Sequence, residues 1–172
     1  MKNLQLVSRV YGGINQAGDY IGPLVLRLLL AVEFGASGLE KLHGDNWFAD
    51  IQDQFPFPFN VVPVNISWFL ATWFELLGAL ALVLGIGVRF FSISLMVLTV
   101  VAVAAVHWPI EWHTLGELAK GYAISDDGFG NYKLPLIYLV MFVPLLLKGG
   151  GKASVDAWLF TYVQKRGFKG FA

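Results

Sequence analysis

The chain has 172 residues, of which 56% are hydrophobic and 14% are charged, whereas a soluble domain carries about 25% charged residues. Its 12 basic and 12 acidic side chains give a formal net charge of zero, which excludes a basic surface that would recruit nucleic acid. Cysteine is absent, which excludes disulfides, thiolate metal sites and thiol catalysis. The length suits one domain and the mean hydropathy of +0.62 indicates a membrane protein, so we expect a single membrane domain over residues 1–172.

The first apolar block follows a mixed N-terminal segment. Three glycines among residues 1–19 predict that no long helix forms there. Residues 20–42 are long enough to span a membrane at ~1.5 Å per residue, with Pro23 in the first helical turn. This block also carries four charged side chains: Arg27, Glu33, Glu40 and Lys41. Ionisable groups at membrane depth are costly, so we expect them to face a bundle interior or a wet cavity.

The segment that follows, about residues 43–64, is rich in aromatic side chains. They are Trp47, Phe48, Phe55, Phe57 and Phe59, the last three within an FPFPF run. Aromatic rings collect at the membrane–water boundary, and the prolines forbid a regular helix. The segment is therefore either an interfacial anchor, which we favour, or a lid over a cavity.

Two further spans are predicted over about residues 65–86 and 90–108. The first is apolar except for Glu75, and the second carries no charge before His107. Residues 85–87 have the sequence Gly-Ile-Gly, which predicts a tight turn between the two spans. Together with the first block, these segments give three membrane helices.

A second loop, residues 109–132, precedes a fourth predicted span over about 133–148. Within the loop we expect a short helix over Thr114–Lys120 that begins with a capping box. Near the C-terminus, Ser154 suits an N-cap and is followed by apolar residues at helical spacing and then by basic residues. We expect an amphipathic helix over about 154–166 that lies on an anionic membrane surface. The predicted fold is therefore all-α, a four-helix transmembrane bundle with a C-terminal amphipathic interfacial helix.

The placement of lysine and arginine predicts the orientation of this bundle. One side collects most of the basic side chains: Lys2, Arg9, Arg89, Lys148, Lys152, Lys165, Arg166 and Lys169. The other side has Lys41, Lys120 and Lys133 among most of the acidic residues. Because basic loops stay in the cytoplasm, both termini of this multi-pass chain are expected to be cytoplasmic.

Two carboxyl groups are the candidate catalytic residues. If the first helix enters the bilayer near Gly22, Glu33 lies ~16 Å deep, near the midplane. Glu75 lies at a similar depth on the next, antiparallel helix, so we expect the two side chains to face each other. Either could then accept or relay a proton. The alternative is that one or both stay neutral and only bond a neighbouring helix.

Arg27, Lys41 and His107 are the candidate ligand-binding residues. Seven-residue spacings place Arg27 and Lys41 on one face of the first helix, with Gly38 nearby to let a helix or ligand approach closely. Arg27 could instead extend to the interface as an anchor. His107, at the outer end of the third span, could relay protons or contact an anion.

The three histidines do not predict a metal site. His43, His107 and His113, even with Glu111, show no spacing typical of metal ligands. Metal binding by these histidines therefore stays open, and none is assigned.

Taken together, these residues resemble the DoxX family of small four-helix membrane proteins. The resemblance rests on an ordered set of features: Arg27, Phe34, Gly38, Lys41, the FPFP loop, Glu75-Leu-Leu-Gly78, Gly85-x-x-x-Arg89, His107 and Gly149-Gly-Gly…Ser154-Val-Asp156. It covers about residues 20–160. The stretch from residues 88–108 to residues 149–159 is more similar still to the HvfX-like subgroup, which is associated with the maturation of copper-binding modified peptides.

The resemblance implies the inner membrane of a bacterium and a quinone-linked role, since the family is named after a subunit of thiosulfate:quinone oxidoreductase. One expectation is a redox accessory in a maturation or respiratory pathway, as a subunit of a membrane oxidoreductase, with quinone as cofactor. A second is a carrier or docking partner for a small solute, copper or a modified peptide, as a homodimer or with a membrane or periplasmic protein. A third is an assembly subunit whose buried charges only fix helix register.

Overall fold

The computed structural model of the chain describes residues 2–124 and 130–165. Within these ranges the α-helices are α1 Lys2–His43, α2 Val64–Leu84, α3 Val88–Ala102, α4 Leu115–Lys120, α5 Lys133–Lys148 and α6 Val155–Lys165. A π-helical turn, Val103–His107, continues α3, and three 3-10 turns, Trp47–Asp50, Gln52–Gln54 and Phe59–Val61, build the loop between α1 and α2. The all-helical prediction is confirmed, since the described residues contain no β-strand.

Three helical stretches are long and apolar enough to cross a membrane: Val7–His43, Val64–Leu84 and Val88–His107. They correspond to the first three predicted spans, although the second and third stretches end two residues and one residue before the predicted ends. Helix α5 has 16 residues, fewer than the about 20 that a straight crossing of a bilayer needs. The fourth span therefore stays a prediction.

The four long helices pack in a closed order, because α1 and α3 each contact both α2 and α5. Buried apolar side chains form their shared core: Leu30, Phe34, Leu82, Val88, Leu95, Phe142 and Leu145. The outward sides are apolar too, with Val32 68%, Leu80 56% and Val140 64% exposed. Soluble proteins rarely expose apolar surface of this extent, whereas a bilayer solvates it.

Helix α1 continues from residue 2 to residue 43, past three glycines and through Pro23. The prediction that these glycines prevent a long helix is wrong, because glycine lowers helix stability by only about 1 kcal/mol per residue. Pro23 does not begin the helix either. It has no N–H to donate to the Asp19 carbonyl, and the backbone N–H of Lys152 donates to that oxygen at 3.1 Å instead. A tertiary contact thus replaces the hydrogen bond that proline removes.

Helix α4 confirms the predicted capping box. The Thr114 hydroxyl accepts the N–H of Glu117 at 3.2 Å, and the Glu117 carboxylate accepts the N–H of Thr114 at 3.3 Å. These reciprocal bonds satisfy donors that the first turn of a helix would leave unpaired.

Helix α6 begins where predicted, directly after Ser154. The Ser154 hydroxyl accepts the N–H of Ala157 at 3.2 Å, as an N-cap does. Trp158 and Phe160 are 64% and 66% exposed, so the helix presents apolar surface outward. Arg166 and Lys169, which the amphipathic prediction included, lie outside the described residues.

Candidate functional site

An ion pair between α1 and α2 lies at the centre of the candidate site. The Lys41 Nζ atom is 2.9 Å from Glu75 Oε2 and 3.1 Å from Glu75 Oε1, and it donates to the Ser37 hydroxyl at 2.7 Å. The Lys41 and Glu75 side chains are only 12% and 9% exposed. Lys41 therefore uses its three donors within the protein. Buried charges are tolerated when they are paired in this way.

Local helix geometry explains why these side chains meet. Ser37 and Lys41 are four residues apart and therefore lie on the same face of α1. Beside them, a Cβ atom on Gly38 would lie 2.9 Å from Leu76 Cγ and 3.1 Å from Glu75 Cβ. The absence of a side chain at Gly38 thus lets α2 pack directly on α1, which brings the Glu75 carboxylate to the ammonium.

A cavity of about 180 Å³ adjoins this ion pair. Lys41 and Glu75 form its charged wall, and the rest of the lining is mostly apolar side chains of the loop between α1 and α2, of α2 and α3, and of the π turn. The Ser67 hydroxyl also lines the cavity and finds no hydrogen-bond partner among the described residues. The cavity therefore offers an ammonium, a carboxylate and one free hydroxyl within an apolar enclosure.

Aromatic side chains of the loop between α1 and α2 cover this cavity. The Phe48 ring packs edge-on against Phe55 and Trp68, with centroid distances of 5.1 and 5.0 Å. Trp47 packs edge-on against Phe48 at 4.9 Å. Asn46 caps the turn that carries these rings, because its side-chain oxygen accepts the N–H of Phe48 at 3.2 Å. These packed rings cover the cavity, as the lid alternative predicts, while the anchor that we favoured from the sequence stays a prediction; we call residues 47–62 the aromatic lid.

Glu33 and Glu75 do not face each other, so the predicted midplane pair is wrong. Glu75 bonds to Lys41 inside the bundle. Glu33 is an exposed residue of α1 whose carboxylate accepts a hydrogen bond from the Tyr138 hydroxyl of α5 at 2.7 Å. Glu33 is also absent from the lining of the cavity. Only one of the two predicted catalytic carboxyls therefore belongs to this site.

Arg27 lies at the opposite end of the bundle and is completely buried, with 0% exposure. Its guanidinium donates to the carbonyl oxygens of Leu82 at 3.1 Å and Ala153 at 2.6 Å. A Cβ atom on Gly85 would lie 2.2 Å from this guanidinium, so the glycine makes room for it. Arg27 therefore ties α1 to the end of α2 and to the segment before α6, away from the cavity.

Residues 149–154, which we name the glycine clasp, complete this end of the bundle. Gly151 has φ +73°, a conformation that favours glycine, and a Cβ atom there would lie 2.7 Å from Pro23 Cγ. Lys152 Nζ lies 2.7 Å from the Asp19 carboxylate. This hydrogen bond and the charge of Asp19 raise the pKa of Lys152 above its ordinary value. The clasp thus fastens α6 to the first helix.

His107, the third predicted ligand-binding residue, ends the π turn beside the second loop. Its Nδ1 atom bonds to the side-chain oxygen of Asn131, and its carbonyl accepts the N–H of Asn131 at 3.1 Å. His107 does not line the cavity, although the π turn before it does. Among the described residues no three His, Cys, Asp or Glu side chains gather to hold a metal ion.

Sequence reasoning gave no role to three polar contacts. For Ser37 the sequence did hold a signal, since this residue lies one helical turn before Lys41 and could therefore bond to it. Asp156 lies in the first turn of α6, where an acid is expected to stabilise its own helix, yet it accepts the N–H groups of Gly87 and Val88 at 2.9 and 3.0 Å. It therefore caps α3. Tyr138 lies 105 residues from Glu33, and nothing in the local sequence indicates that contact.

The DoxX family profile matches residues 22–108. This stretch is half of the chain. The chain belongs to the DoxX family. A Haemophilus influenzae protein, described as uncharacterized, is 44% identical over 139 residues, which cover 81% of this chain and 83% of that protein. No solved structure matches the chain.

Family membership and the three long apolar helices identify this DoxX chain as a membrane protein. The matched stretch contains Lys41, Glu75, the aromatic lid and the residues that line the cavity. Tyr138 and the glycine clasp lie beyond it. The cavity therefore belongs to the part of the chain that carries the family profile.

Proposed function

We propose that this DoxX protein binds the headgroup of a quinone in the cavity beneath the aromatic lid, as an accessory subunit of a membrane oxidoreductase. The observation that carries the proposal is the Lys41–Glu75 ion pair, which forms one wall of an otherwise apolar cavity. Specific ligand sites are built in this way, from apolar walls with a few placed polar groups.

The polar groups of the cavity complement both redox states of a quinone. To bind a quinone carbonyl oxygen, the Lys41 ammonium redirects the N–H that it donates to Ser37, and the Glu75 carboxylate accepts from a quinol hydroxyl. The Ser67 hydroxyl supplies a third contact, since it has no partner among the described residues. We therefore assign ligand binding to Lys41 and proton acceptance to Glu75. Oxidation of a quinol to a quinone releases two protons and two electrons: Glu75 accepts one proton, the second passes to solvent, and a partner redox protein accepts both electrons.

The position of the cavity suits a ligand that arrives from the lipid. Leu70 and Val106 line the cavity, yet they are 44% and 49% exposed on the outside of the bundle. We infer that an isoprenoid tail leaves the cavity along these side chains into the bilayer while the headgroup lies at the ion pair. A water-soluble ligand would have no need of a cavity wall whose side chains reach the lipid.

We further propose that α5 completes a four-span, multi-pass bundle in a bacterial inner membrane, with both termini in the cytoplasm. In support, α5 packs on α1 and α3. The end that carries the glycine clasp has Arg89, Lys148 and Lys152, as the cytoplasmic end of a membrane protein does. The aromatic lid then faces the periplasm. The Glu33–Tyr138 contact between α1 and α5 is exposed. Because an ionisable group at membrane depth is costly in lipid, this contact supports a partner helix or a second copy that covers it.

The likeness to the HvfX-like subgroup supports a second candidate, a carrier or docking partner in the maturation of copper-binding modified peptides. The cavity volume of about 180 Å³ decides what it could hold. Drug-sized ligands occupy roughly 300–1,000 Å³, so this cavity suits a headgroup or small solute rather than a peptide. A modified peptide would have to bind the periplasmic surface instead.

Mass spectrometry of small molecules that co-purify in mild detergent tests the quinone proposal. We expect the wild-type protein to retain quinone and Lys41→Met to lose it. Glu40→Gln is the matched control, because Glu40 is a neighbouring but exposed charge on the same helix. Val101→Phe narrows the cavity without touching the ion pair, so it should also lose quinone. If Lys41→Met and Val101→Phe both fold and retain as much quinone as the wild-type protein, the proposal is overturned.

A further inference from the structure

A groove of about 1280 Å³ lies at the end of the bundle that carries the glycine clasp. Its walls come from the first half of α1, the starts of α3 and α6, and the end of α5. It is distinct from the cavity at Lys41, with which it shares no lining residue. A groove of this size has room for a ligand much larger than a quinone headgroup.

The carboxylates of the groove already accept hydrogen bonds, whereas two of its basic groups form no ion pair among the described residues. Asp19 pairs with Lys152 at 2.7 Å, and Asp156 accepts two backbone N–H groups at the start of α3. Arg89 and Lys148 are exposed, and neither forms an ion pair with a carboxylate among the described residues. Arg89 donates to one backbone carbonyl and keeps further N–H groups for a ligand. With Lys152 and Asp19 paired, the groove keeps two exposed positive charges, Arg89 and Lys148, against the single carboxylate of Asp156, which is bonded to backbone N–H groups.

Apolar side chains lie directly beside these charges. Phe90 and Phe160 line the groove and are 59% and 66% exposed. Arg89 is the second residue of α3 and Lys148 is the last residue of α5, so both charges mark the limit of the apolar helix surface. A ligand that satisfies the whole groove must combine an anionic group with hydrocarbon.

We propose that this groove binds an anionic phospholipid, whose phosphate is held by Arg89 and Lys148 and whose acyl chains lie along Phe90 and the outward side of α3. Guanidinium and ammonium groups both bind phosphate, the first with paired donors and the second as a point charge. A free phosphate would use the two charges but make no contact with the exposed rings, so the lipid is the better occupant. The groove then holds α1 and α6 at the membrane surface through a bound lipid.

Native mass spectrometry of the delipidated protein, titrated with phosphatidylglycerol or phosphatidylcholine of the same chain length, tests this proposal. Each basic residue near a membrane surface contributes a factor of about five in affinity for an anionic lipid. We expect the wild-type protein to bind phosphatidylglycerol more tightly than phosphatidylcholine. The affinity for phosphatidylglycerol should fall about fivefold in Lys148→Gln and about 25-fold in the double variant Arg89→Gln with Lys148→Gln, relative to wild type. Lys148 makes no hydrogen bond among the described residues, so its substitution spares the fold.

The control removes two positive charges outside the groove, with Arg9→Gln and Lys133→Gln. If this control weakens the binding of phosphatidylglycerol as much as the groove variant does, the lipid responds to positive charge anywhere on the protein and the proposal is wrong. Excess glycerol phosphate is added in a parallel titration. If it displaces the lipid from the wild-type protein, the groove is a phosphate site and the lipid proposal is overturned. Retained lipid, lost only in the groove variants, supports it.

Discussion

The Lys41 ammonium lies 2.9 Å from the Glu75 carboxylate, although Lys41 is near the end of its helix and Glu75 is in the middle of the next one. Glu75 packs against Gly38, so the two residues lie at the same level of the bundle. Helix α1 ends five residues after Gly38, whereas α2 begins eleven residues before Glu75. The end of α1 therefore lies ~9 Å deeper in the bundle than the start of α2. The lid occupies the space above α1, which is how a cavity forms over a lysine.

We predict that Lys41 and Glu75 contribute to stability as a unit. Removing one partner of a buried pair leaves a charge without compensation, so Lys41→Met or Glu75→Leu alone should lower the free energy of unfolding by about 3–5 kcal/mol. The double variant should cost much less than the sum of the single variants. Reversible unfolding in mixed detergent micelles measures all three. Lys152→Met is the control, since its ion pair is 53% and 55% exposed and should matter little. Additive effects at Lys41 and Glu75 would refute the coupling.

Gly38 sets the distance between α1 and α2, which gives a second prediction. A Cβ atom there meets Leu76 and Glu75 at 2.9 to 3.1 Å, so Gly38→Ala should destabilise the protein by about 1–3 kcal/mol and disturb the ion pair. Gly22→Ala is the matched control on the same helix, because nothing lies within 4 Å of its Cβ position. Thermal unfolding of both variants in detergent is the measurement. Equal stability of the two variants would contradict the close packing.

The apolar blocks and cap residues were enough to predict most of the helices. Helix α5 has the predicted bounds, α2 and α3 lie within two residues of the predicted starts, and the capping box of α4 and the N-cap of α6 are as expected. Such features depend on nearby residues, which is why sequence alone indicates them. The passage of α1 through Pro23 involves instead a distant donor, since the Asp19 carbonyl, which loses its helical partner there, accepts the N–H of Lys152.

The candidate site could be predicted only in part. Counting residues along a helix estimates depth in the membrane, but it does not show which way a side chain faces, and it assumes that all helices enter the bilayer at the same depth. Glu33 and Glu75 were placed at equal depth by that assumption. In the structure Glu75 meets Lys41, eight residues or ~12 Å further along α1 than Glu33. Lys41, Glu75 and the aromatic loop were each singled out by residue type, whereas their convergence on one cavity follows from the packing at Gly38.

Arg27 is predicted to act through its shape rather than its charge. Its two terminal nitrogens donate to the carbonyl oxygens of Leu82 and Ala153, a geometry that one ammonium group cannot reproduce. Arg27→Lys should therefore leave a buried carbonyl unpaired and cost about 1–3 kcal/mol of stability. Arg9→Lys, an exposed position on the same helix, should have no effect. If the two variants unfold at the same detergent concentration, Arg27 does not join the helices as described.

The lid is predicted to control how long a ligand stays in the cavity. Phe48 contacts Trp47, Phe55 and Trp68, so Phe48→Ala removes the central ring of the cover. A short-chain ubiquinone analogue should then dissociate faster by at least about tenfold, the factor that corresponds to 1.4 kcal/mol of lost contact. Phe57→Ala is the control from the same loop, because that ring is 81% exposed.

Dissociation is followed by diluting analogue-loaded protein into ligand-free detergent and assaying the protein-bound quinone over time. Circular dichroism shows whether both variants keep their helices. Faster loss from Phe48→Ala alone means that the ring retains the ligand. Similar rates for wild type and both variants would mean that the ligand lies elsewhere, and the cavity would lose its assignment even though its geometry stands. Faster loss from both variants would indicate general loosening of the loop, because Phe57 makes no part of the cavity wall.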